Sequence, residues 1–382
     1  MKNQMGYKIK SISLIAILAI IFSAFNAYAQ SADVRKEVKF TRKFTSVSST
    51  GIKFVDLTKY LPKGYKTDGT VDYTKYLQKG ISENKNVMFP NFPIQTQGIK
   101  LISNSNLFFQ QKSQLILKPT AETHYNIISI IGKKNISIYN ATLKGDLDKH
   151  LGKTGEWGFG IDIRGSQNIK VVNAVITNCW GDGICISSNQ NKFTTNQSLL
   201  QTSNIQIENS LIDYNRRNGI TIASGVNNVL LKGLTISNTF GTLPKAGIDI
   251  EPDHSKGKLD NIKIYDSYFF NNNAGINIHI NNYADKSVAN NVSIDIANIT
   301  FESQESALYF GGFTEKPNKR AMSGLINMNG LKMNKIRVPI SRRMNGYGIY
   351  PNIKIRNVKI NQKSPLKNEL LRGMKDLDKV DI

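Results

Sequence analysis

The sequence predicts an all-β fold, a right-handed parallel β-helix with a short N-terminal capping helix, and three observations predict it. The first is composition: of 382 residues, 42 are Asn and 48 are Ile, nearly a quarter of the chain in two residue types. Ile favours strands, whereas Asn is poor in strand interiors and tolerates the left-handed backbone that tight bends require. The second is an internal repeat. The third is that each repeat alternates apolar and polar residues with period two and is bounded by Asn and Gly, the pattern of short strands rather than helices.

The repeat is explicit. Asn168-Ile-Lys-Val-Val-Asn-Ala-Val-Ile leads to Gly183-Ile-Cys-Ile186, and Asn204-Ile-Gln-Ile-Glu-Asn-Ser-Leu-Ile leads to Gly219-Ile-Thr-Ile222, the opening Asn preceding the Gly by 15 residues in both. Further copies run from Asn135 to Gly160-Ile-Asp-Ile163, from Asn228 to Gly247-Ile-Asp-Ile250, from Asn261 to Gly275-Ile-Asn-Ile278 and, with Ala307 in place of the Gly, from Asn291 to Leu308-Tyr-Phe310. Starts at Asn104, Asn135, Asn168, Asn204, Asn228, Asn261 and Asn291 are 31, 33, 36, 24, 33 and 30 residues apart. One such unit cannot bury its own Ile face. Stacked coil upon coil at about 4.8 Å, the units share one continuous core, and the hand of crossovers between parallel strands makes the coil right-handed. Helical or Leu-rich solenoids need units that are absent here, and a propeller needs four strands per repeat.

Residues 1–29 read as a secretory signal peptide. Lys2, Lys8 and Lys10 precede an apolar run from Ile12 to Phe25, and Ala27-Tyr28-Ala29 offers small residues at the two positions a signal peptidase reads. The run falls short of the ~20 residues a spanning helix needs, so no stable membrane insertion is expected, and no cysteine follows it to carry a lipid. The expected location is secreted or periplasmic, with cleavage near Ala29. Residues 30–100 are expected to form an N-terminal cap and first coil. Within them Val71, Tyr73, Tyr76, Leu77 and Ile81 fall on a helical period from Thr70 to Ile81, behind an Asp68 or Thr70 cap, able to cover an otherwise open strand edge. Residues 101–362 are the β-helix. Residues 363–382 are charged, lack the repeat and read as a C-terminal cap or tail.

Lys and Arg number 50 against 28 Asp and Glu, a formal +22, and removing residues 1–29 takes three lysines and no acid, leaving +19. Such a surface attracts polyanions. Export excludes a nucleic-acid role, so the expected partner is a polysaccharide, and an anionic one. The two cysteines, Cys179 and Cys185, cannot staple a fold of this size and match no zinc spacing.

The run Tyr65-Lys-Thr-Asp-Gly-Thr-Val-Asp-Tyr-Thr, followed by Leu77-Gln78 and Val87-Met-Phe-Pro90, resembles the N-terminal signature of the pectate-lyase-like superfamily of β-helix proteins. The resemblance covers most of the mature chain. It implies the fold and a polysaccharide-degrading activity, within a superfamily that mixes lyases, glycoside hydrolases, epimerases and tailspike depolymerases. Polygalacturonase-type hydrolases carry their site on successive rungs reading roughly Asn-Thr-Asp-Gly-Ile-Asp-Ile, Asp-Asp-Cys-Ile-Ala-Ile, Gly-His-Gly-Ile-Ser-Ile and Gly-Ile-Arg-Ile-Lys. The rungs here, in the same order, are Phe159-Gly-Ile-Asp-Ile163, Gly181-Asp-Gly-Ile-Cys-Ile186, Arg217-Asn-Gly-Ile-Thr-Ile222 and Ala246-Gly-Ile-Asp-Ile-Glu251. Asp182 alone matches one of the family's three aspartates. Phe159, Gly181 and Asn218 stand at the other two aspartates and the histidine, and Asp249 and Glu251 stand where the family has Arg and Lys. The chain therefore resembles that scaffold without its catalytic constellation.

Aligning the rungs on the Gly-Ile step puts Asp162, Cys185, Thr221, Asp249, Asn277 and Tyr309 in one outward column and Arg164, Ser187, Ala223, Glu251, His279 and Gly311 in a second. The columns gather Asp182, Arg216, Arg217, Lys245, Asp249, Glu251 and His279 into a patch three or four rungs long, on the order of 15 to 20 Å, which suits several sugars of a chain. Asp182, Asp249, Glu251, Arg217 and His279 are the candidate catalytic residues. Arg164, Arg216, Lys245, Asn218 and Trp180 are candidates for holding substrate, Trp180 as a stacking platform. As i and i+2 neighbours, Asp249 and Glu251 have Cα atoms roughly 6.6 Å apart, and a carboxyl separation of ~6.5 to 9.5 Å leaves room for a water between acid and base. The resemblance implies instead that Asp182 supplies the acid.

Two reactions are open. Hydrolysis uses the carboxyls as acid and base. β-Elimination on a uronic acid needs a base and a cation on the sugar carboxylate, from Arg216, Arg217, Lys245 or His279, with Asp182, Asp249 and Glu251 holding a Ca²⁺ through hard oxygen ligands. Glu251-Pro-Asp-His254 is similar to the Asp-Pro-His-Asp of alginate epimerases in a different order and reads as a turn. A uronan epimerase and a non-catalytic, adhesin-type glycan-binding β-helix are the alternatives.

Overall fold

The computed structural model describes residues 35–190, 198–314, 320–345 and 350–361 and the strand Val380–Asp381. The segment read as a signal peptide lies outside the described residues, as does all of 363–382 except that last strand, which pairs in parallel with Ile353 and Lys354. No described helix is long and apolar enough to cross a membrane.

One coil shows how the repeat becomes a right-handed parallel β-helix. The strand Gln167–Val172 meets Val175–Thr177 through a bend at Asn173, the chain turns again at Asn178, and Ile184–Ser187 forms the third face. Asn168, Asn173 and Asn178 have φ of 58°, 57° and 59°. Side chains are strained at such angles, and Asn is tolerated best because its short polar side chain bonds locally, which is why Asn recurs where the chain must turn. The rung-opening asparagines also bond along the stack: the side-chain amides of Asn135, Asn168, Asn204, Asn228 and Asn261 each donate to the amide oxygen of the asparagine one coil earlier, beginning at Asn104, at 2.7 to 3.1 Å.

The third face is a nine-stranded sheet, β1 (Ile99–Lys100), β2 (His124–Ile131), β3 (Trp157–Arg164), β4 (Ile184–Ser187), β5 (Ile220–Ile222), β6 (Ala246–Ile250), β7 (Ala274–Ile278), β8 (Ser306–Thr314) and β9 (Val338–Asn345), paired in sequence order. Ile161, Ile184, Ile220, Ile248, Ile276 and Leu308 stand opposite one another on successive strands, all fully buried. Ile136, Ile169, Ile205, Val229, Ile262 and Ile294 do the same on the first face. At about 25 cal/mol per Å² of apolar area removed from water, these rows are the main stabilising term.

The capping helix is present but starts four residues later than its periodicity predicts, at Thr74–Glu83. Asp68 accepts from the Thr70 amide and closes a turn, and Asp72 accepts from the Thr74 amide at 3.0 Å, so the helix entry is fixed by Asp72. Leu77, Gly80 and Ile81 face inward. A Cβ at Gly80 would lie 2.4 Å from Leu57 Cδ2, so only glycine lets the helix sit this close. The Gln78 amide donates to Lys100 O at 2.9 Å and accepts from Lys100 N at 2.8 Å, pairing the open edge of β1 as a further strand would.

Residues 35–45 run as a strap over the corners of four consecutive coils. Arg35 pairs with Asp213 at 2.6 Å, and Lys36 exchanges backbone bonds with the Asn238 amide. Arg42 donates to Asn173 O and to Thr142 Oγ1, and Thr45 exchanges bonds with the Asn140 amide.

Candidate functional site

The register of the third face is the one the repeat predicts. Asp162, Cys185, Thr221, Asp249, Asn277 and Tyr309 stand in one row across β3 to β8. The row differs from expectation in exposure: Asp249 is 0 % and Asn277 2 % accessible, and Asp162, Cys185 and Thr221 are also buried. Long neighbouring side chains cover it. The Arg164 guanidinium bonds Asp162 at 2.7 Å and reaches the Cys185 sulfur, while Arg217 leans over the middle of the row.

Arg217 is the centre of the cluster. Its guanidinium lies 3.1 Å from Asp182, 3.5 Å from Glu251, 3.9 Å from Asp249 and 3.8 Å from Glu156. Asp182 is fully buried and saturated: it accepts from the Asn218 backbone N–H at 3.0 Å, the Thr221 hydroxyl at 2.7 Å and Arg217. Asp249 accepts from the Asn277 amide at 2.7 Å and the Asn218 amide at 3.1 Å. Asn218 also takes the Ala246 N–H, so it braces both aspartates from within and has no path to solvent.

Burial sets the electrostatics. It lifts the Asp182 pKa to about 6, Arg217 opposing it. It lifts Asp249 to about 7, with the neighbouring Glu251 charge acting in the same direction. Burial raises Glu251 as well, against Arg217. Burial would by itself lower the Arg217 pKa, but the surrounding carboxylates outweigh it, so Arg217 stays charged. His279 is lowered by burial and is neutral at pH 7.

The Glu251 and Asp249 carboxyls both lie near Arg217 Nη2, at 3.5 and 3.9 Å, and burial raises the pKa of both.

A cavity of about 350 Å³ opens on this cluster, lined by Arg217, Glu251, Asn277, His279 and Tyr309 together with Leu243, Pro244, Asn273, Ala274 and Gly311. Glu251 is its one carboxyl among the described residues, about a third exposed, with His279 Nδ1 at 3.5 Å. Of the catalytic candidates, Glu251, Arg217 and His279 thus face the cavity, while Asp182 and Asp249 sit behind them. The substrate-holding candidates lie elsewhere. Arg164 pairs with Asp162. Arg216 stacks at 3.9 Å over Trp180 and donates to Gly155 O, and Trp180 is stacked at 3.9 Å on His150 as well. Lys245 adopts φ 59° at the turn into β6 and does not line the cavity. Sequence reasoning missed Glu156, which lies outside the repeat just before β3, and gave no role to Asn277 or Tyr309, although both stand in its column.

The calcium that elimination would place at Asp182, Asp249 and Glu251 does not fit. Ca²⁺ takes six to eight oxygens, yet the Asp182 oxygens are taken by N–H and O–H donors and the Arg217 guanidinium lies within 3.1 to 3.9 Å of all three carboxylates. Among the described residues no group of three His, Cys, Asp or Glu side chains is arranged to hold a metal.

No protein-family model matches the sequence. Among curated proteins the chain is 28% identical over 260 residues to the uncharacterized protein YclG of Bacillus subtilis, a match covering 64% of this chain and 41% of that protein. The chain thus spans about two fifths of the length of the curated relative it matches. Among solved structures it is similar to the family 28 exopolygalacturonase of Yersinia enterocolitica, with a TM-score of 0.56 at 12% identity over 82% of this chain and 67% of that one. It is also similar to tailspike protein gp49 of the Acinetobacter baumannii bacteriophage Fri1, a capsular polysaccharide depolymerase, with a TM-score of 0.50 at 11% identity over 84% of this chain and 66% of that one. These likenesses establish the shared fold, a parallel β-helix.

Proposed function

We propose that the protein is a secreted polysaccharide-cleaving enzyme that hydrolyses a glycosidic bond in the cavity at Glu251. One observation carries this reading: Glu251, the one carboxyl among the described residues that lines the cavity, is gathered with the buried Asp249 at one guanidinium, and burial raises the pKa of both. A carboxyl kept protonated near neutral pH is what delivery of a proton to a leaving oxygen requires.

Glu251 gives its proton to the glycosidic oxygen as the bond from that oxygen to the anomeric carbon breaks. The sugar left behind carries oxocarbenium-like positive charge, which the carboxylates around Arg217 stabilise. Water then forms the new bond to the anomeric carbon and loses its proton to the Glu251 carboxylate, restoring the starting state. Burial, helped by the Asp182 and Glu156 charges, raises the Glu251 pKa and keeps its proton available. Elimination is less well served, because it needs a cation free to neutralise a sugar carboxylate, and Arg217 is already engaged by Asp182, Asp249, Glu251 and Glu156. The leader-like residues 1–29 support an exported protein, and the similarity to an exopolygalacturonase and a capsular depolymerase supports a polysaccharide substrate.

The test is the product. Incubating the purified protein with a panel of anionic and neutral polysaccharides is expected to release reducing ends without the ultraviolet absorbance of an unsaturated sugar, and Glu251→Gln is expected to abolish the release. An ultraviolet-absorbing product, or full activity in that variant, overturns the proposal.

A further inference from the structure

A second cavity continues the first along the axis of the coils. It has a volume of about 220 Å³, shares Asn273, Ala274 and Tyr309 with the cavity at Glu251, and extends beyond Tyr309 to Glu305, Arg337 and Ser341. Register sets the order: Tyr309 on β8 stands opposite Asn277 on β7 and opposite Ser341 on β9. From Arg217, just before β5, to Ser341 on β9 the two cavities cross successive coils spaced about 4.8 Å apart, a span of about 19 Å and a length for several sugars. Tyr309 is the wall they share. Its ring is partly exposed and rests against Gly311, where a Cβ would lie 2.6 Å from Tyr309 Cε1. The Asn273 amide donates to Pro244 O at 3.1 Å, which leaves its Oδ1 turned away from that bond. Among the described residues, this oxygen and the hydroxyls of Tyr309 and Ser341 have no hydrogen-bond partner, and all three residues are partly open to solvent.

The cations of this groove are already engaged. Arg217 is held by its carboxylates, Arg337 pairs with Glu305, and His279 is neutral at pH 7. A sugar carboxylate in the second cavity would lie near Glu305, whose cation is taken, and a charge removed from water without a partner is costly. A neutral sugar asks for less. The apolar face of its ring covers the Tyr309 ring, and its hydroxyls bond to two hydroxyls that donate and accept and to one amide oxygen that accepts. We propose that the two cavities are successive subsites of one groove, in which a sugar two coils, about 10 Å, from Glu251 is neutral, stacks on Tyr309 and is held through its hydroxyls by Asn273 and Ser341. This rests on the reading of Glu251 as the residue at which the bond is cut. The positive charge of the chain as a whole lies outside the groove, so the polymer that enters it is not acidic at every sugar.

The test is binding, kept separate from cleavage. Neutral gluco-, manno- and galacto-oligosaccharides and acidic oligogalacturonates, each of one to four sugars, are titrated by calorimetry into the mature protein and into Tyr309→Ala, Tyr309→Phe and Gly311→Ala. In at least one neutral series the affinity is expected to rise about tenfold or more from one sugar to four, the size of an added aromatic contact with its hydrogen bonds. That series is also expected to bind more tightly than the oligogalacturonate of equal length. Most of the rise is expected to vanish in Tyr309→Ala and in Gly311→Ala, whose new Cβ displaces the ring, and part of it to survive in Tyr309→Phe, which keeps the stacking face. The circular dichroism spectra are expected to stay unchanged. A rise with length that is the same in Tyr309→Ala, tighter binding of the oligogalacturonates than of every neutral series, or no binding of any series overturns the proposal. Neutral binding that lengthens as described and is lost in Tyr309→Ala, without release of reducing ends, leaves the groove standing and removes the hydrolase reading. Release of reducing ends at the same rate in Tyr309→Ala as in the parent does the reverse.

Discussion

Arg217 Nη1 lies 3.1 Å from Asp182 Oδ2, and through the same guanidinium a fully buried aspartate is tied to two carboxyls two coils further on. Asp182 sits on the approach to β4, Arg217 on the approach to β5, and Asp249 and Glu251 on and just after β6, so one side chain bridges three coils.

Arg217→Ala leaves Asp182 and Asp249 buried without their cation. Breaking a buried pair from one side costs about 3–5 kcal/mol. Urea denaturation is expected to show a loss of that size, and Arg217→Lys is expected to recover only part of it, because an ammonium cannot span three carboxylates as the planar fork does. An unchanged midpoint in Arg217→Ala would mean that the bridge is not stabilising.

Glu251→Gln keeps the volume and removes the proton. Loss of a general acid costs roughly 10²- to 10⁴-fold in rate, so reducing-end release is expected to fall by that factor with little change in melting temperature.

Activity is expected to fall as pH rises, because Glu251, whose pKa burial raises, then loses its proton. A rate profile from pH 4 to 9 on any accepted polysaccharide checks this. A rate that climbs steadily through pH 8 would assign Glu251 a role needing the carboxylate.

Stability follows the same groups. The folded-state pKa values of Asp182 and Asp249, about 6 and about 7, exceed the ordinary aspartate value of 3.8. The folded protein therefore holds these protons more tightly, and the resulting stability is full below about pH 4 and lost as pH rises to about 7. Asp249→Asn has no proton to lose there. Its melting temperature, measured against the parent, is expected to improve steadily from pH 4 to 8; a constant difference would show that Asp249 does not titrate in this range.

Gly247→Ala places a Cβ 2.5 Å from Phe269 Cδ1 and 2.7 Å from Gly275 O. Overpacking of this kind costs about 1–3 kcal/mol. Pairing it with Phe269→Leu is expected to recover part of the loss, because the clash with the ring is relieved and the clash with the carbonyl is not.

The coils were legible in the sequence because strand register has a period of two and the repeated Ile of each rung must point inward, so Ile184, Ile220, Ile248 and Ile276 could align in only one way. The row through Asp249 followed from the same logic. Its burial did not, since a column position says nothing of how far Arg164 and Arg217 reach from the next coil. Two i, i+2 carboxyls fix their Cα atoms but not their rotamers, and so the spacing alone did not show that Asp249 and Glu251 both reach one guanidinium. The helix begins at Thr74 because a local side-chain bond from Asp72, rather than hydrophobic periodicity, decides where the chain enters it.

The strap over the corners has a consequence for the order in which the protein assembles. Lys36 bonds Asn238, 202 positions later, and Arg42 and Thr45 depend on Asn140 and Asn173. Docking it therefore closes very long loops, and such contacts form late. The segment that leaves the ribosome ahead of every coil waits for four of them before it has a place to lie. Once seated, it acts as a clasp, because no coil between Asn140 and Asn238 can peel from its neighbour without first releasing it.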